Sequence, residues 1–184
     1  MDDMLKEALR LRKLGFAIHW LRPKSKIPVS EGWANAAVMD EQALKASYRS
    51  GFNVGFRPGK WSVVNGKEIT VLDVDIRGGV RYAEEAYAAA AAMMRDSKFT
   101  VISGSDVGRH CYLGFDIGKS PPKAATTLRK SDVWVNRHDL SICSADAPDA
   151  CPAWLIELLS TGKNVVMPPS IHPDTGHHYK FEIG

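Results

Sequence analysis

The chain has 184 residues, 45% of them hydrophobic and 24% charged, which is the size of one domain with enough apolar material for a core. Those proportions exclude disordered, collagen-like and disulfide-scaffold classes, and a net charge of +3 means that any basic groove must be local. The longest uncharged apolar run, Ala86 to Met94, falls far short of the roughly 20 residues a membrane span needs.

Cys111, Cys143 and Cys151 are odd in number and irregularly spaced, and the N-terminus lacks the basic, apolar and small-residue succession of a secretion signal. The sequence therefore reads as a cytosolic protein with free thiols.

Residues Asp3 to Leu14 place Leu5, Ala8, Leu9 and Leu11 at helical spacing, with Asp2 or Asp3 as cap and Gly15 just past the end. A strand is expected over Phe16 to Leu21, a loop over Pro23 to Trp33, and a short helix from a cap at Asp40 to about Tyr48. Asn53 to Phe56 reads as a brief strand closed by Pro58-Gly59.

Glu68 to Ile76 is the clearest strand. Its alternation puts Ile69, Val71, Asp73 and Asp75 on one face and Thr70, Leu72, Val74 and Ile76 on the other. After Gly78-Gly79 comes an alanine-rich helix, Tyr82 to Arg95, and then strands Phe99 to Ile102 and His110 to Phe115 around a Ser-Gly-rich loop. Trp154 to Leu159 and Asn164 to Met167, joined by Ser160-Thr161-Gly162, read as a hairpin, and Tyr179 to Ile183 as a last strand. No internal repeat or second domain is visible.

Two aspartates two residues apart on one strand face stand about 6–7 Å apart, close enough to share divalent cations. Without counter-charge they would be expensive to desolvate, and bound metal is a natural remedy; the bland alternative is a strand end emerging into water. His110 opens an apolar strand after a glycine-containing loop, where an imidazole can reach a phosphate or a metal. Glu157, alone among Trp154, Leu155, Ile156, Leu158 and Leu159, is an acid in need of a partner.

Read in order, Asp73-Val74-Asp75, Gly108-Arg109-His110 and Glu157 resemble the three motifs of the N-terminal primase-polymerase domain of the archaeo-eukaryotic primase superfamily. Flanking pieces match as well: Gly15-Phe16, Lys26-x-Pro28, Gly32-Trp33, Asn53-Val54-Gly55, Ser103-Gly104, and the run from Gly162 to Pro173. The chain departs from the pattern at Gly108, where serine is usual, and at Glu157, where aspartate is commoner.

The resemblance implies an α/β (α+β) fold with a mixed, mainly antiparallel sheet and flanking helices. It implies one domain over 1–184, with an N-terminal unit to about residue 66 packed on an RNA-recognition-motif-like catalytic unit over about 67–184. It further implies a DNA primase and polymerase of plasmid, phage or other mobile-element replication, acting on single-stranded DNA template, primer and NTP or dNTP, with a helicase domain or protein as a further partner and no membrane.

In that reading Asp73, Asp75 and Glu157 hold Mg2+ or Mn2+ in a two-metal site, since paired cations activate an attacking hydroxyl and stabilise a leaving oxygen. His110, with Arg109, takes the triphosphate. Lys163, Ser170, His172, Lys26 and Asn53 are secondary nucleotide contacts by motif position. A zinc site from His138, Cys143 and Cys151 is weighed and set aside, because the spacings fit no compact finger. The rival functions are a non-catalytic nucleic-acid-binding replication module and a metal-dependent nuclease.

Overall fold

The structure, a computed structural model, describes residues 2–97 and 99–182. Helix α1, Asp3–Leu14, starts where the Asp2 carboxylate accepts the Met4 amide hydrogen at 2.9 Å and stops at Gly15, whose φ of 109° suits a residue without Cβ. A side chain at Gly15 would also run into the Val63 carbonyl. The helix buries Ala8, Leu9 and Leu11.

Strand β1, Ala17–Leu21, follows, then the 22–37 loop, helix α2, Glu41–Ser47, capped by Asp40, and strand β2, Asn53–Arg57. Next come β3, Gly59–Val64, β4, Lys67–Ile76, and, after one 3-10 turn at Val80–Tyr82, helix α3, Ala83–Met94. The remaining strands are β5, Thr100–Ile102, β6, Arg109–Asp116, β7, Ala125–Lys130, β8, Trp134–Asn136, β9, Ile142–Cys143, β10, Ala150–Pro152, β11, Trp154–Leu159, β12, Val165–Val166, and β13, Lys180–Phe181. Ile183, the end of the expected last strand, lies outside the described residues. Three α-helices and antiparallel strands make the fold α+β.

The large sheet runs β13-β5-β6-β4-β11-β7, with β3 also on β4. Strand β4 is its centre because both of its faces are apolar. Ile69 and Val71 enter a core with Phe16, Phe56 and Tyr112, while Leu72, Val74 and Ile76 pack with Trp154, Ile156 and the small Ala86 and Ala90 of α3. The alanines that favour the helix also let it lie close on the sheet.

A second sheet, β1-β2-β12, and a third, β10-β8-β9, complete the fold. The expected hairpin of β11 and β12 does not form. β11 pairs with β4 and β7, whereas β12 leaves the turn and pairs with β2 through Val165 opposite Phe56. Each segment buries its apolar residues better against an existing sheet than against the other, so the short turn separates two sheets. The second sheet thus draws on both the start and the end of the chain. No helix among the described residues is long and apolar enough to cross a membrane.

Candidate active site

The register of three strands builds the site. Asp73 on β4 lies opposite His110 on β6 and opposite Glu157 on β11. Directly opposed residues of an antiparallel ladder project to the same face, so the three side chains form a row with strands about 5 Å apart, and Asp75 follows two residues along β4. Thr127 on β7 extends the row, its hydroxyl donating to Glu157 Oε1 at 3.4 Å. His110 Nε2 stands 3.6 Å from Asp73 Oδ1.

Electrostatics follow from that crowding. Burial, then the charge of Asp75, and also Glu157 push the Asp73 carboxyl up to about 7, against the opposing pull of Lys26 and Arg77. Burial and then Lys26 hold His110 down to about 4, so its imidazole is neutral at physiological pH. His172 is lowered by burial and by Lys26 in the same way.

A cavity of about 100 Å³ opens beside Asp73 and Asp75, walled by His110, His172, Tyr179 and Lys26. Lys26 is its only ammonium or guanidinium group among the described residues. Tyr179 sits between the imidazoles, its ring centroid 5.8 Å from each. The Lys26 loop is tied down from two sides. Asn53 Nδ2 donates to the Ser25 carbonyl at 3.1 Å and to the Ile171 carbonyl at 2.7 Å, while Asn164 Nδ2 donates to the Lys26 carbonyl at 2.9 Å.

The structure thus brings together Asp73, Asp75, His110, His172 and Lys26, with Glu157 in the row on the far side of Asp73. It does not bring the other sequence candidates to the cavity. Arg109 follows β6's alternation onto the α3 face, where it pairs with Glu182 at 3.1 Å and lies over the Tyr87 ring. Lys163 is exposed in the turn after β11. Ser170 is buried with its hydroxyl accepting from Val54 N and donating to Val54 O, and Asn53 is consumed by loop backbone, so both position their neighbours.

Sequence reasoning missed Ser105, Tyr179 and Asn164. The signal for the serines was there in the departure at Gly108: a Cβ at this position would press on Ser103 Oγ, so the glycine makes room for the hydroxyls of Ser103 and Ser105, which bond each other at 2.6 Å and line the cavity. Ser105 Oγ also accepts from the Gly108 amide at 3.1 Å.

Among the described residues no three His, Cys, Asp or Glu side chains converge on one point. Asp75 Oδ2 is turned onto Arg77 Nε at 2.7 Å, and Glu157 onto Thr127. The donor set nevertheless fits a hard divalent cation. Three carboxylates share one face, and the burial that chiefly raises Asp73, together with the repulsion from Asp75 and Glu157, is what a cation would offset. Cys151 pairs across from Val135 and Cys143 from Trp134, adjacent residues of β8, so the two thiols leave that sheet on opposite faces.

No curated protein matches this chain. The family model described as bifunctional DNA primase/polymerase, N-terminal, matches residues 8–183. That span takes in the acidic row, the cavity and all of the α+β fold between them, and the chain belongs to this family of DNA primase/polymerase domains.

Proposed function

We propose that this domain synthesises primers on single-stranded DNA and extends them, joining NTPs or dNTPs, in the replication of a plasmid, phage or other mobile element. The observation that supports this reading is the row His110, Asp73, Glu157 with Asp75 beside it, of which His110, Asp73 and Asp75 line a small cavity whose one ammonium or guanidinium group among the described residues is Lys26. The chain 1–184 is read as one catalytic domain, with residues to about 66 forming the unit that packs on the rest.

In the reaction a primer 3′ oxygen forms a bond to the α-phosphorus of the incoming nucleotide as the bond to the bridging oxygen breaks, releasing pyrophosphate. Asp73, Asp75 and Glu157 would hold Mg2+ or Mn2+, which when bound supplies activation of the hydroxyl and charge neutralisation on the leaving oxygen. Lys26 binds triphosphate oxygens as a point charge, and the neutral His110 and His172 donate through one ring nitrogen each. Asn53, Asn164 and Ser170 hold the two loops that carry Lys26 and His172. Arg109 and Lys163 stand outside the cavity and take no triphosphate contact.

Incorporation of labelled nucleotide on a single-stranded template with Mg2+ or Mn2+ tests the proposal. An Asp73→Ala/Asp75→Ala double variant is expected to lose it completely while still folding. Template binding without incorporation under either cation would make the domain a binding module, and shortening of the template would make it a nuclease.

A further inference from the structure

Beyond the carboxylates, on the side away from His110, lies a second cleft of about 400 Å³ lined by Arg77, Arg137 and Cys151. Its lining shares no residue with the Lys26 cavity, yet the two adjoin through one side chain: Asp75 walls the first and bonds Arg77, which walls the second. Only the Arg77 Nε is committed to Asp75; a guanidinium has four further N–H donors, and they carry no hydrogen bond among the described residues. Among the described residues the Arg137 side chain reaches only Asp149, at 3.7 Å, and both of those side chains are half exposed.

A third cation continues the line. Lys130 pairs opposite Leu155, which pairs opposite Asp75, so Lys130 leaves the sheet on the carboxylate face. It does so because of a bulge: β7 inserts Leu128 between Arg129, opposite Ile156, and Thr127, opposite Glu157. Thr127 and Lys130, three residues apart, would otherwise face opposite ways. The Lys130 ammonium lies 5.2 Å from the centre of the Trp134 ring, placing an aromatic face beside the cations at the sheet edge.

We propose that the Arg77–Arg137 cleft, continued by Lys130 and Trp134, holds backbone phosphates of the strand whose 3′ hydroxyl is extended. The inference rests on the nucleotidyl-transfer reading above and assigns it a direction. In-line displacement requires the attacking oxygen to approach from the side opposite the leaving pyrophosphate. With the triphosphate beside Lys26, His110 and His172, the attacker comes from beyond Asp75, where the Arg77 cleft lies. Guanidinium pairs suit phosphate oxygens, and a ring beside them suits a base.

Arg137 is the clean probe, because it touches neither the carboxylates nor the Lys26 cavity. Fluorescence anisotropy would follow wild type, Arg137→Ala, Arg137→Lys and Lys130→Ala on a labelled primed template, on the same template unprimed, and on a labelled nucleoside triphosphate, without turnover. Arg137→Ala is expected to weaken primed-template binding about tenfold and lower the salt slope by about one. Arg137→Lys restores most of it, Lys130→Ala gives a smaller loss in the same direction, and triphosphate binding is unchanged.

Equal losses on primed and unprimed DNA would put the template strand in the cleft and overturn the assignment. Undiminished DNA binding by Arg137→Ala, or weakened triphosphate binding, would overturn it too. Failure of the underlying reading looks different: wild type then incorporates no nucleotide, whatever Arg137→Ala does to binding.

Discussion

Replacing Asp73 by asparagine should make the metal-free protein more stable while destroying the proposed activity. The carboxyl is raised from 3.8 to about 7, chiefly by burial and by Asp75. Three pH units at about 1.4 kcal/mol each set a ceiling of about 4 kcal/mol on the cost of keeping it ionised. Asp73 still has 24% of its side chain in water, and the new amide must find partners in a site built for an anion. A net gain of about 2 kcal/mol is therefore expected, or about 4–8 °C in Tm for a chain of this size.

The sign of the pH dependence is fixed by the direction of the shift. A carboxyl raised on folding contributes stability that is fully present below its unfolded value and is lost as pH rises through the folded one. Wild type should thus fall behind Asp73→Asn from about pH 4 upward and reach the full gap above about pH 8. Thermal unfolding of both proteins in a chelator, across that range, measures it. Adding Mg2+ or Mn2+ should then raise the wild-type Tm and leave the variant's unchanged. A gap that is flat with pH, or equal responses to the cation, would refute the reasoning.

Two further outcomes follow from the loops around the cavity. Ser170→Ala strands the buried Val54 amide, while the Val54 carbonyl keeps the Met167 amide as donor, and should lower stability by about 1–3 kcal/mol, read as a reduced urea midpoint at unchanged slope. Gly108→Ser, which restores the serine usual in the family's histidine motif, should weaken nucleotide binding here because its Cβ meets Ser103 Oγ; combining it with Ser103→Ala should recover affinity, and a single variant that binds as well as wild type would show the loop to be slack.

What could be read ahead of the structure was what local periodicity writes. Strand β4 is a near-continuous run of β-branched and apolar residues, broken by two aspartates two positions apart, and α1 carries its own cap, stop and apolar stripe, so both were legible. Strand β7 was not: Ala-Thr-Thr-Leu-Arg-Lys has no alternation, since the strand is an exposed edge, and a bulge breaks its period. β3 and the β8-β9-β10 sheet are short and half exposed and gave no run to follow. The hairpin reading failed for the opposite reason. β11 and β12 are both so apolar that periodicity says only that they are buried, and partners distant in sequence decided where.

The site divides along the same line. That Asp73 and Asp75 share a face needs only the two-residue period of a strand, but that Glu157 joins them needs the register of β11 on β4, which pairings such as Ile156 with Val74 and Leu158 with Leu72 lock in. A one-residue slip would send Glu157 to the α3 face, where Arg109 already lies. Motif position likewise found Asn53 and Ser170 in the right neighbourhood without revealing that backbone groups had claimed their polar atoms. Arg77 and Lys130 carried no motif at all. Their relation to the carboxylates depends on a salt bridge and a bulge, and cation placement of that kind is settled by three-dimensional register, so it is at the rim of the acidic row that structure adds most to what the sequence says.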